Sequence, residues 1–369
     1  MLDYKLHYAT HPEVRLRLEE IEARTLSKFA ARSVDASGRR WPQEPDSLRG
    51  AYQRDRDRVI HCKAFRRLKH KTQVFIAPKG DHYRTRLTHT MEVTQVARTI
   101  ARALRLNEDL TEATALAHDL GHTPFGHAGE DAMAEIIDHF RHNEQSVRVV
   151  EYLERDGRGL NLAEQVKDGI LRHSKVREDV AAKGWGVAST LEGQIVKLAD
   201  SVAYLAHDID DAIRAGVLTT EQIPTEFREA FGDSTGQRIE ALVSDIVDYN
   251  WRVATDDGET WQDAVGDGKA IGLSPRALEL KNGLREFMFK HVYTESAAKE
   301  DVPKTKFVIH ALFEHFCKHP NELPEEFQLN PRDEPMERRV ADWIAGMTDR
   351  YAVKAFERIY VPQEWAVFS

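Results

Sequence analysis

Apolar residues along this chain recur mostly at three- and four-residue intervals, and strictly alternating apolar and polar runs are scarce. That is the periodicity of helices rather than strands, so the pattern predicts an all-α fold. A highly charged helix is predicted from about Pro12 to Ala31, followed by a polar connection from Ser33 to Pro45. A second helix should carry Tyr52, Val59, Phe65 and Leu68 on one side. The segment Thr72 to Tyr83 contains Pro78-Lys79-Gly80-Asp81 and reads as a loop or short hairpin.

From Thr88 onward, Met91, Val96, Ile100 and Leu104 mark another helix. Asn107 is placed to cap the next one, which runs through Leu110, Ala113, Ala117 and Leu120 until Gly121 stops it. The loop HTPFGH then leads into a helix from about Ala128 to Phe140, and Asn143 is expected to cap a helix carrying Val147, Val150 and Leu153. Ser189-Thr190-Leu191-Glu192 has the spacing of a capping box, and the helix it opens can run to about Arg214. Asp200, Tyr204, His207, Asp208 and Asp211 share one face of that otherwise apolar helix. Such a stripe must face either water or a functional cavity. Later, Ser274-Pro275 reads as an N-cap with a first-turn proline, and one last amphipathic helix carries Val340, Trp343, Ile344, Met347 and Tyr351. The break at Gly266-Asp267-Gly268-Lys269 lacks the remaining residues of a phosphate-binding loop.

Composition narrows the class without naming it. With 369 residues, 41% hydrophobic and 31% charged, the chain can bury a sizeable core unaided. Cys62 and Cys317 are its only cysteines, so nothing calls for an oxidising compartment, and no stretch approaches the ~20 apolar residues of a membrane span. A soluble, cytoplasmic protein with no membrane partner is expected. The net charge of -9 argues against a general polyanion binder, yet residues 49 to 86 hold twelve bases against three acids. On composition alone, such a block is a solvated or interface face.

The candidate chemistry begins where that block ends. His89, the adjacent His118-Asp119 and Asp200 are two imidazoles and two carboxylates, a donor set suited to Mg, Mn, Fe, Co or Ni rather than to a sulfur-rich zinc site. Four protein ligands on an octahedral ion leave room for water and a phosphoryl oxygen. Consecutive helical side chains diverge by about 100°, so His118 and Asp119 can share one ion only near a helix end, which Gly121 supplies. An isolated His-Asp pair is a weak signal, since histidines often cap helices. Here, however, His122, His127 and Glu144 crowd the same stretch. Buried ionisable groups are costly without partners, so core filling explains them poorly. His173 reads as a core histidine.

The order His89, His118-Asp119, Asp200 resembles the signature of the HD superfamily. The words KTQVF, RTRLTHTMEV, AHDLGHTPFGHAGE, HNEQSVR and ADSVAYLAHDIDDA are similar to successive motifs of its deoxynucleoside triphosphate triphosphohydrolases, over roughly Arg49 to Ala212. The resemblance implies metal-dependent hydrolysis of a dNTP, dGTP among them, to deoxynucleoside and triphosphate by attack at the α-phosphorus. It implies a metal held by His89, His118, Asp119 and Asp200. A catalytic pair of His122 and Glu144 and a proton-donating His127 follow in the same way, with Gln73, Val74, Arg86, Tyr204 and Asp208 at the substrate. The expected organisation is an N-terminal helical or oligomerisation segment (1–48), an HD phosphohydrolase core (49–215) and a C-terminal phosphohydrolase-associated region (216–369), assembled as a homo-oligomer. Two other readings stay open: an HD enzyme acting on (p)ppGpp or other nucleotides, and a single-stranded nucleic-acid binder using the basic block.

Overall fold

No strand forms among the described residues of the computed structural model, which are 11–73, 84–174, 186–293, 301–329 and 332–362. The helical periodicity is realised throughout them. An isolated antiparallel bridge between Thr72 and Thr85 closes the base of the segment read as a loop or hairpin. Most of that segment, Val74 included, lies outside the described residues.

Helix α1 (Pro12–Thr25) stops short of Ala31 because tertiary bonds take over its next residues: Ser27 N donates to Arg105 O and Lys28 N to Asp256 Oδ1. The helix predicted through Tyr52 to Leu68 is broken into α2 (Ala51–Ile60) and α3 (Lys63–Arg67), although all four apolar positions are buried. At the break the Cys62 thiol accepts from Phe65 N, and the Glu154 carboxylate accepts from Lys63 N and Ala64 N. Thr85 caps α4 (Arg86–Ala103), whose inner face is Val93, Val96, Ala97 and Ile100, while Met91 is exposed. Asn107 caps α5 (Glu108–Ala117) by accepting from Leu110 N, as its position suggested.

Two expected caps are corrected. Helix α6 (Gly126–Ile136) is followed by α7 (His142–Arg148), which begins before Asn143. Asn143 is buried instead and donates to Leu171 O, at the end of α8 (Glu164–Arg172). Helix α9 (Leu191–Arg214) is capped by Thr190 through Gly193 N, not by a Ser189/Glu192 box. Glu192 lies too deep for that role: its Oε1 accepts from Ala31 N and Asn107 N.

The remaining helices complete three apolar cores. The first joins α4 and α9 to α10 (Thr225–Phe231), α11 (Thr235–Tyr249), α12 (Trp251–Ala254), α13 (Trp261–Ala264) and α14 (Pro275–Met288), the last capped by Ser274 as expected. The second gathers α2, α3, α5 and α8. In the third, α6 packs with α15 (Val302–Lys318), α17 (Met336–Ala345) and α18 (Asp349–Tyr360), while α16 (Glu325–Gln328) flanks α17. The single last helix read from sequence is thus two, because Thr348 caps α18 and restarts it after Gly346. Each buried Leu or Ile contributes roughly 1.5–3 kcal/mol, so these cores fix the mutual positions of α4, α5 and α9. No described helix is long and apolar enough to cross a membrane.

The basic block is largely neutralised within the fold. Arg49 pairs with Asp46 and Asp57, Arg56 with Asp109 and Glu112, Arg58 with Asp55, and Arg84 with Glu92, Asp210 and Asp211. Arg66 and Lys69 remain exposed.

Candidate active site

Three helices deliver the histidines and acids read from the sequence. His89 sits in the first turn of α4, His118 and Asp119 follow directly after α5, and Asp200 projects from the middle of α9. The turn after α5 is locked by contact with α7. Ser146 Oγ accepts from Gly121 N at 2.9 Å and lies 2.7 Å from His118 O. Gly121 has no side chain there because α7 occupies the space: a Cβ would stand 2.1 Å from Ser146 N.

His118 Nδ1 lies 2.6 Å from Ala115 O, and a carbonyl can only accept, so the proton is on Nδ1. Its Nε2 is consequently a bare lone pair, buried without a hydrogen-bond partner. The neighbours of that lone pair are Asp119 Oδ1 at 3.4 Å and Asp200 Oδ1 at 3.8 Å. Asp200 Oδ1 is also 3.0 Å from His89 Nε2. A lone pair facing two carboxylates is repulsive until a cation joins them. Donor atoms of His89, His118 and Asp119 all lie within 4.8 Å of one another, so this buried cluster could hold a metal ion. Burial opposes ionisation of Asp119, yet its neighbours His118, His122 and the Arg86 guanidinium hold its carboxyl well below the usual range. For Asp200, burial is likewise outweighed by the His89 hydrogen bond and the neighbouring His118 imidazole, which lower its pKa. Both carboxyls are therefore ionised.

Arg86, which the family resemblance placed against phosphate, is buried, with Nη1 donating to Asp119 Oδ2 at 2.6 Å and Nη2 to Thr72 O at 3.1 Å. Its Nε–H is buried and unpaired.

Beside this cluster lies a second one that sequence reasoning only half found. His122 Nε2 is 3.2 Å from Asp119 Oδ1, and its ring stacks on His142 with centroids 4.1 Å apart. His142 Nδ1 is 2.9 Å from Glu130 Oε1, and its Nε2 is 3.3 Å from His173 Nε2. His173 Nδ1 lies 2.6 Å from Ile170 O and so carries the proton there, leaving its Nε2 to accept. His142 can thus donate from both nitrogens. Burial opposes its protonation, but the Glu130 charge and hydrogen bond raise its pKa. Burial, Arg86 and His142 push His122 well below the usual histidine range, so it stays neutral. Burial, together with the neighbouring His118 and His142 rings, pushes His173 down to about 3. His127, at the more open side, has Nδ1 3.2 Å from Glu130 Oε2.

Glu130 therefore joins His127 and His142, a role no sequence expectation gave it. The available signal was its spacing: His127 and Glu130 lie three apart on α6 and so share a face. His173, read as core, is a wall of this cluster. Glu144 stands apart: it is half-buried, its pKa is raised by burial, and its charged neighbours are Arg338, His139 and Arg141. Among the described residues no hydrogen bond or ion pair joins Glu144 to His122.

The polar stripe of α9 turns inward rather than to water. His207, Asp208 and Asp211 are buried and Tyr204 is half-buried. Burial first, and then the charges of Asp211 and Asp200, push the Asp208 carboxyl well above its usual range, against a hydrogen bond from Tyr204. Gln73 is half-buried with its Oε1 unpaired, and Val74 lies outside the described residues.

The HD domain family matches residues 86–205, and the phosphohydrolase-associated domain family matches residues 271–358. Proteins called deoxyguanosinetriphosphate triphosphohydrolase-like are similar along nearly the whole length. That of Caldanaerobacter subterraneus is 50% identical, covering 96% of this chain and 97% of its own. That of Desulfatibacillum aliphaticivorans is 43% identical over 95% and 98%, and that of Geobacter sulfurreducens 40% over 94% and 98%. A solved hypothetical protein from Aquifex aeolicus, 19% identical with a TM-score of 0.41, covers 83% of this chain and 71% of its own and adds nothing to the fold seen directly.

Proposed function

The chain belongs to the deoxyguanosinetriphosphate triphosphohydrolase-like family of HD phosphohydrolases, and from that premise we propose that it hydrolyses a deoxynucleoside triphosphate, dGTP among its substrates, to deoxynucleoside and triphosphate. The observation that carries this reading is the buried His118 Nε2 lone pair facing the Asp119 and Asp200 carboxylates, a donor arrangement that a divalent cation satisfies. His89, His118, Asp119 and Asp200 would hold that ion. When bound, it supplies Lewis acidity toward a phosphoryl oxygen and lowers the pKa of water.

The chain's own residues account for the remainder. Attack of a water oxygen on the α-phosphorus, with cleavage of its bond to the 5′-oxygen, requires a proton to leave the water and one to reach the departing oxygen. His127, on the open side and backed by the Glu130 carboxylate, is suited to deliver the second. His122, neutral and beside Asp119, is suited to accept a hydrogen bond or proton from the attacking water. Arg86 holds Asp119 in its ligating orientation and keeps an unpaired Nε–H that a phosphate oxygen could accept from. Tyr204, Asp208 and Gln73 would meet the sugar and base end.

Incubating the chain with each dNTP and Mn or Mg, and measuring deoxynucleoside and tripolyphosphate, tests the reading. His118→Ala and Asp119→Ala are each expected to lose bound metal and hydrolysis while keeping the helical circular dichroism. Orthophosphate as the product, or activity retained in both variants, refutes it.

A further inference from the structure

Asp349 opens α18 in the phosphohydrolase-associated part of the chain, distant in sequence from the whole candidate site. Thr348 serves as the α18 cap, so the Asp349 carboxylate reaches outward. Its Oδ1 accepts from Phe125 N at 2.9 Å, and its Oδ2 accepts from Thr72 N at 2.8 Å and from the Thr72 hydroxyl. One side chain thereby fastens two segments that build the site.

Both segments need fastening. Phe125 has φ 65° and ψ 20°, a left-handed conformation uncommon for a bulky residue, and it persists only where its surroundings fix it. It lies in the turn between His122 and His127, so its conformation sets how those two rings are presented. Thr72 O receives Arg86 Nη2, whose Nη1 orients Asp119. A second tie runs in parallel: Lys71 Nζ donates to both His122 O and Ala345 O, joining the same loop to the end of α17.

We propose that Asp349 is a positioning residue, through which the C-terminal helices set the His122–His127 turn and the Thr72–Arg86–Asp119 chain for phosphoryl chemistry. The proposal rests on the functional reading above for its kinetic part only. Asp349→Asn tests it in the full-length chain, because the amide has the same shape. Whichever way it is turned, it offers a donor to either Phe125 N–H or Thr72 N–H, and one of those bonds is lost. Hydrogen exchange should accelerate at residues 122–127 while α4 and α9 keep their protection. Bound Mn per chain should match the parent. With dGTP, kcat should fall by about tenfold to a hundredfold with KM little changed, the cost of a misplacement on the order of 1 Å. Asp349→Ala should show the same pattern more strongly. Parental exchange at 122–127 in Asp349→Asn, exchange rising equally along the whole chain, or parental kcat would each overturn the proposal. If the parent chain turns over no dNTP, the functional reading fails, and the exchange data alone decide whether Asp349 holds the turn.

Discussion

Gly121→Ala is the smallest change that should damage both the fold and the site. An added Cβ would lie 2.1 Å from Ser146 N, 2.4 Å from Gln145 C and 2.6 Å from His142 O. Ordinary contact begins at 3.4 Å, so about 1.3 Å must be opened, and every obstructing atom is backbone of α7 rather than a side chain that can rotate away. Overpacking of this kind costs roughly 1–3 kcal/mol. Losing the Gly121 N–H to Ser146 Oγ bond adds about 1 kcal/mol. The entropy that alanine removes from the unfolded chain offsets only about 0.4–1 kcal/mol. The balance is a net destabilisation of about 1–3.5 kcal/mol. Function should suffer more, because α7 carries His142 at its first position and the turn carries His118 and Asp119. A shift on the order of 1 Å between them is worth about a hundredfold in rate. Urea unfolding and dGTP hydrolysis at saturating Mn measure the two effects. A midpoint and a kcat equal to those of the parent would refute the packing argument.

Other outcomes follow from the buried acids. Glu130→Gln should retain metal but lose about 10²-fold or more in kcat, whereas Glu144→Gln should retain most of the rate; the reverse ranking in steady-state kinetics would make Glu144 the catalytic carboxylate. Burial pushes Glu192 up to about 7 from an ordinary 4.5. Because its folded-state pKa is raised, its contribution to stability is fully present below about 4.5 and is lost as pH rises through about 7, a swing of about 3 kcal/mol. Glu192→Gln keeps the Oε1 acceptor for Ala31 and Asn107, so its unfolding free energy should gain on the parent between about pH 5 and pH 8. A pH-independent difference would refute this.

The sequence by itself determined the helical class, the positions of most helices, the caps at Asn107 and Ser274, and the residue types able to hold a cation. Those features are local: a 3.6-residue period, a side chain reaching its own helix end, or the chemistry of an imidazole does not depend on what packs nearby. The HD relationship was also legible, because its words are contiguous between about Arg49 and Ala212, whereas the phosphohydrolase-associated region at 271–358 offered no such word.

Tertiary structure decided which groups face each other. Sequence reading paired His122 with Glu144 through neighbouring motifs, whereas the packing of α6 against the start of α7 puts Glu130 between His127 and His142. Glu192 had capping-box spacing but was drawn inward by two backbone donors from other segments. Asp349, an unremarked acid near the chain's end, became a tie between two site segments only because α18 docks there. In each case the deciding partner lies elsewhere in the chain, and which partner meets a buried charge is settled by how helices pack, a quantity that one-dimensional periodicity does not contain.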